Sequence, residues 1–310
     1  MKKHLGLAFS ALLVASSAMA QSEISNFSAT GRGGVVNSFS KGYQAIGVNP
    51  ANLGRTPKTY VSFSLSEVGL AAGSGSLSRE VLDKFVDFDE TPLTAEDKDK
   101  LSKMFTSDNV LTVNAQVNTF NVSFFIPKVG GFAMSNSYKL NSRVGLNKNA
   151  AEIMFKGKNA EIFKSGELPN ISKAFEGTAF QLYAVDEWNL AYGREVLALA
   201  DVKINAGIGV KYLRGLGVFD LRAEDNKLTA YSAVSPDIMS PSYDDYINSP
   251  DFNHIVDQKG LQPVGKGFGT DIGVSAEFNE KYRVALSVTD IGSITWTGNL
   301  ITAQDQKLSP

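Results

Sequence analysis

Cysteine is absent from all 310 residues, so no disulfide can staple this chain and no lipidated N-terminal cysteine can anchor it. Histidine is almost as scarce, with His4 and His254 the two in the sequence. A formal net charge of -2 provides no general basic field for nucleic acid. After residue 20 no apolar run approaches ~18 residues, which excludes helical membrane spans and leaves transmembrane strands open. Disorder is excluded as well, because 43% hydrophobic residues suffice for a sizeable core.

What is present begins with MKKHLGLAFSALLVASSAMA at residues 1–20. Lys2 and Lys3, an apolar stretch and the small-x-small triplet Ala18-Met19-Ala20 predict a signal peptide cleaved after Ala20; the alternative, a buried N-terminal helix, rarely carries this order of charges. Loss of those two lysines takes the formal charge from -2 to -4.

The most informative stretch is 266–296. Phe268, Thr270, Ile272, Val274, Ala276 and Phe278 share one side of an extended chain, and Gly269, Asp271, Gly273, Ser275 and Glu277 share the other. After Asn279-Glu280-Lys281 the pattern resumes, with Tyr282, Val284, Leu286 and Val288 opposed to Arg283, Ala285, Ser287 and Thr289. This predicts an antiparallel hairpin whose arms are about ten residues long, enough for a tilted strand to cross a bilayer. One face could meet lipid or a core, while the other carries charges and hydroxyls.

The same alternation recurs from Tyr60 to Ser66, from Val110 to Ile126, from Phe132 to Val144, from Thr178 to Arg194 and from Lys203 to Tyr212. Glycines on the polar row of that last strand leave room inside a curved sheet. Three longer segments interrupt the pattern, at 78–108, 147–174 and 234–263; the first carries helical spacing at 81–86 and from Thr94 onward, the second at 153–163. Roughly nine to ten strands with short turns at one end and long loops at the other predict an all-β fold, an antiparallel up-and-down transmembrane β-barrel. The chain finishes without a strand ending in an aromatic residue, so the barrel is expected to be truncated at its C-terminus. Residues 1–20 are thus read as signal peptide, 21–58 as an N-terminal segment and 59–310 as the incomplete barrel.

Within the N-terminal segment, Asn49 suits a helix cap, Pro50 the first helical position and Gly54 a stop, which predicts one helical turn. Residues 45–54, with Asn49-Pro50-Ala51 at their centre, resemble the NPA-containing segment of the long-chain fatty-acid transporter superfamily of outer-membrane barrels. Ser287-Val288-Thr289-Asp290-Ile291-Gly292 followed by Trp296 is similar to a strand end in a largely uncharacterised, Bacteroidetes-type branch of that superfamily, which is itself similar to the barrel of type IX secretion. The resemblance implies that residues 21–58 fold into the barrel as a plug held by Asn49, Pro50 and Ala51, and that hydrophobic molecules leave sideways into the membrane. Asn52 departs from the leucine usual in that motif.

No catalytic residue, metal ligand or cofactor is predicted. His254 lies among loop residues, Tyr243-Asp244-Asp245-Tyr246 lacks the alternating spacing of a calcium loop, and Gly265-Lys266-Gly267-Phe268-Gly269 opens a strand, whereas phosphate cradles open helices. Lys203, Lys211, Asp271, Glu277 and Arg283 would face the lumen of a barrel, or a solvated sheet face otherwise. Trp188, Tyr192, Tyr212, Tyr282 and Trp296 could form interfacial belts. The expected partners are outer-membrane lipid together with hydrophobic small molecules, the alternative being a scaffold whose long loops bind secretion-system proteins. A secreted soluble β-sandwich is a third reading.

Overall fold

Alternating sequence becomes alternating faces in the computed structural model, which describes residues 36–74, 94–104, 110–164, 170, 174–199, 201–225, 227–234, 262–279 and 281–304. The predicted signal peptide, the helical spacing at 81–86 and the loop carrying His254 and Tyr243 to Tyr246 lie outside these residues. The chain is all-β: β1 (Val61–Ser74), β2 (Val110–Ile126), β3 (Gly130–Gly145), β4 (Ala179–Leu199), β5 (Val202–Glu224), β6 (Lys227–Val234), β7 (Gly265–Phe278), β8 (Tyr282–Trp296) and β9 (Asn299–Gln304) form one antiparallel sheet.

The first five strands pair in chain order. The free side of β5 is then shared, Val202 to Gly215 pairing with β7 and Gly217 to Glu224 with β6. Strands β8 and β9 follow on β7 and β6 respectively. Thus β6 and β7 act as one long strand into which residues 235–264 are inserted, and β8 and β9 as another with a break at Thr297 and Gly298. The meander is up-and-down, as expected, and the sheet is open: among the described residues no strand covers the outer edges of β1, β8 and β9.

Cross-strand register explains how the faces separate. Val61 aligns through Phe124, Phe132, Tyr192, Ile208 and Ile272 with Val288, one apolar or aromatic residue from each strand in turn. Such a row makes one face of the sheet oily. It stays exposed, with Phe63, Leu65, Leu70, Val210, Val274 and Leu286 all open. The opposite, concave face buries Gln116, Ser137, Asn189, Asn205, Lys211, Asp271 and Ser275, the inverse of a one-sided sheet in a water-soluble protein.

Two helices occupy the end opposite the short turns. In α1 (Ala95–Met104), Thr94 and Asp97 cap reciprocally, with Asp97 N donating to Thr94 Oγ1 at 3.1 Å and Thr94 N to Asp97 Oδ2 at 3.2 Å. In α2 (Lys148–Lys156), Asn147 Oδ1 accepts from Ala150 N at 2.6 Å; this helix begins earlier than the spacing at 153–163 implied. Lys156 Nζ bridges the two helices through Asp99 Oδ1 at 2.7 Å. Among the described residues no helix is long and apolar enough to cross a membrane.

Candidate functional site

The site is built from the N-terminal segment upward. Asn49 is extended and caps the 3₁₀ turn Pro50–Gly54, its Oδ1 accepting from Ala51 N at 3.0 Å, as the sequence predicts. Its Nδ2 donates to Asn37 Oδ1 at 2.7 Å. The turn lies flat on the concave face because Gly131, Gly193, Gly207 and Gly273 are consecutive cross-strand partners on β3, β4, β5 and β7. A Cβ on Gly193 would stand 2.2 Å from Pro50 O, and one on Gly131 would stand 2.2 Å from Leu53 O. This strip of bare backbone is therefore the seat that lets another backbone approach so closely.

Polar contacts fix the rest of the segment. Ser287 Oγ donates to Val48 O at 2.7 Å, and Tyr43 Oη donates to Glu67 Oε1 at 3.1 Å. Toward the turn end, Arg55 Nη2 lies 3.3 Å from Glu277 Oε2, to which Arg283 Nε also donates at 2.9 Å. Burial first, and the Arg283 guanidinium second, hold Arg55 below the ordinary guanidinium value. Lys41 is lowered too, by burial and then by the neighbouring Arg55.

On the loop side of the seat sits an ionic cluster. Lys211, 2% exposed, places Nζ 3.0 Å from Asp271 Oδ1 and 3.8 Å from Glu187 Oε1, and closes tightly on Asp290 Oδ1. Lys139 Nζ reaches the same Glu187 oxygen at 3.0 Å. Burying an ammonium this deeply is costly, and three surrounding carboxylates offset it. Asp290 reaches the cluster through a bulge: it has φ +60°, Thr289 and Asp290 together oppose Asp271, and Asp290 N donates to Asp271 Oδ1 at 2.8 Å.

Above this floor opens a cavity of about 430 Å³, walled by Tyr183, Val185, Leu213, Ile294 and Trp296. It combines a mostly apolar wall with a charged floor, the usual composition of a small-molecule pocket.

All five charged residues expected to share a face do share the concave one, although they divide into two groups. Glu277 and Arg283 meet Arg55, with Lys203 directly opposite Glu277, while Lys211 and Asp271 join the deeper cluster. Glu187, Lys139 and Asp290 complete that cluster without having been expected in it. Trp296 is a correction: its indole packs over Gly215 and Gly265 on the concave face, so it belongs to the pocket and to no external belt. Gly265 directly opposite it, and Gly215 beyond, leave room for the ring, since a Cβ on either would meet the indole within 3 Å. Among the described residues no group of histidines and carboxylates is arranged to hold a metal ion.

The chain belongs to a family of unknown function, DUF5723, whose family model matches residues 50–307. Comparison with curated proteins and with solved structures found no match.

Proposed function

We propose that this chain forms the wall and plug of an outer-membrane β-barrel that binds or passes hydrophobic small molecules without chemical catalysis. The observation that carries this reading is the exposed oily face. On β1 it runs from Val61 to Leu70 and on β8 from Tyr282 to Ile291, about ten residues each, or about 25 Å of height for tilted strands. The two stretches are offset: Val61 aligns with Val288, six residues beyond Tyr282. A band that climbs across the sheet in this way follows strand tilt, which a membrane-spanning wall requires. Residues 1–20 supply the export signal that such a destination needs.

The seated segment 36–58 acts as the plug, and the cavity above it takes the ligand, apolar groups against Tyr183, Leu213 and Trp296 and a polar group toward Asp290 and Lys211. The scaffold alternative draws on α1 and α2, which bind each other at the loop end and present a folded surface there. Fractionation decides the location: the processed chain should remain in the detergent-extracted outer membrane and shift in gel mobility on heating, and recovery as a soluble monomer would exclude the proposal. Uptake of a labelled fatty acid, with and without the protein, separates transport from scaffolding; unchanged uptake with a co-purifying protein favours the scaffold.

A further inference from the structure

The exposed face carries a buried polar interruption at Asp186, and it is built rather than incidental. Asp186 points to the oily side of β4 yet is only 2% exposed. Its Oδ1 accepts from Asn136 Nδ2 at 2.6 Å and its Oδ2 from Arg214 Nη1 at 3.0 Å, while Asn136 Oδ1 accepts from Thr119 Oγ1 at 2.7 Å. This relay crosses β2, β3, β4 and β5. A carboxylate buried on an apolar face is expensive, and here it fixes the direction of a single guanidinium. Arg214 in turn lies directly opposite Lys266 on β7, so this row carries two cations beside the one carboxylate of Asp186 and is net positive.

The neighbouring cross-strand row, one step toward the turn end on the same face, is Trp188, Tyr212 and Phe268. All three are exposed, and the Tyr212 and Phe268 rings are 5.4 Å apart. Beyond them toward the turns the face is oily, through Val210, Ile208, Ile272 and Val274. Cations, then an aromatic girdle, then an apolar slope is the order of groups met by a lipid whose phosphate lies at the interface and whose chains descend.

We infer that Arg214 and Lys266 form an external binding site for the phosphate of an anionic membrane lipid, with Asp186 and Asn136 as positioning residues for the guanidinium. The inference rests on the membrane placement proposed above; with the short turns on the periplasmic side and the long loops outside, as in outer-membrane barrels, the lipid is phosphorylated outer-leaflet lipid A. Arg214 offers paired N–H donors to phosphate oxygens, and Lys266 adds a point charge. Trp188 and Tyr212 cover the glycolipid's interfacial region, and the apolar row takes its acyl chains.

The test uses the full chain extracted from membranes in detergent and titrated in native mass spectrometry with lipid A, with phosphatidylcholine and with inorganic phosphate. Lipid A should be retained at concentrations where phosphatidylcholine is not, and inorganic phosphate should not displace it. Lys266→Gln should weaken retention about fivefold and the double change with Arg214→Gln about thirtyfold, at roughly one basic contact's worth each; Arg214→Lys should recover part of the loss. Asp186→Asn should weaken lipid A binding while leaving phosphatidylcholine binding unchanged, a split that general unfolding would not give. Equal retention of both lipids, an unchanged Lys266→Gln variant, or displacement by inorganic phosphate overturns the lipid site while the barrel reading stands. A chain that associates with no bilayer overturns both.

Discussion

Asn49 Oδ1 occupies the space in which any side chain at position 273 would have to begin: a Cβ on Gly273 would stand 2.0 Å from it. The same close approach is repeated along the turn, since Pro50 rests on Gly193 and Gly207 and Leu53 rests on Gly131. Plug and wall are therefore complementary at the level of backbone. The hydrogen bond from Ser287 Oγ to Val48 O at 2.7 Å extends that fit to β8.

Gly207→Ala should loosen the plug. The added methyl would meet Pro50 C at 2.3 Å, a backbone atom that no rotamer change can move aside. The expected cost is about 1–3 kcal/mol, as for other overpacked sites, with new trypsin cleavage at Arg55. Gly209→Ala is the control, because its nearest neighbours are side-chain atoms at 3.3 Å and beyond. Thermal unfolding and limited proteolysis of the two variants should diverge.

Lys211→Met should be among the most damaging single changes on the concave face. It leaves Asp271 and Asp290 facing each other without the ammonium that holds them, with Glu187 kept by Lys139 alone, and breaking a buried charge set of this kind costs about 3–5 kcal/mol. Combining Lys211→Met with Asp271→Leu should recover part of that loss, because the remaining charges are fewer and the volume is filled. A double-mutant cycle from denaturant melts measures the coupling; strict additivity would show that Lys211 and Asp271 act independently.

At the loop end, Asp99 gives a pH dependence of known sign. Hydrogen bonds from Lys103 and Lys156 hold its carboxyl at about 2, below the ordinary 3.8. A depressed folded value means that the α1–α2 bridge is fully present above the unfolded value and is lost as pH falls through the folded one. Amide exchange in α1 should therefore accelerate between about pH 4 and pH 2; Lys156→Met should remove the part of that dependence that crosses to α2, and Lys103→Met the larger part, since Lys103 is the stronger of the two causes. The carboxylate side of the bridge is partly open to solvent, so high salt should weaken it as well.

Much of this arrangement could be read from period-two alternation, and what escaped it has identifiable causes. The faces of β7 and β8 follow residue by residue from Phe268 to Val288, because strand geometry leaves a side chain two directions and the sequence fills them differently. The cap at Asn49 was equally local. Asp186 breaks the rule, as a charged residue on the oily side whose partners Asn136 and Arg214 are 50 and 28 positions away. The glycine seat was legible only as spare room, since its meaning depends on Gly131, Gly193, Gly207 and Gly273 falling into one cross-strand row. Asp290 escaped for another reason: its bulge shifts the alternation by one residue, and a shift of one moves a side chain to the opposite face.

Leu286 and Ser287 offer the sharpest test of which face meets lipid. They are adjacent on β8; Leu286 is 53% exposed on the oily side, and Ser287 turns inward to Val48. Leu286 also lies near the middle of the apolar stretch between Tyr282 and Ile291. If that face met water, Leu286→Arg would be a surface change worth no more than about 0.5 kcal/mol. Against a bilayer midplane the same arginine costs about 2–4 kcal/mol, and assembly into the heat-modifiable membrane form should fall accordingly. Tyr282→Arg, at the turn-end limit of the row, should cost much less because a guanidinium there can reach the interface. A Leu286→Arg protein that assembles like the parent would reverse the assignment of faces, whereas a loss graded by depth from Leu286 to Tyr282 is a response that only a membrane of finite thickness produces.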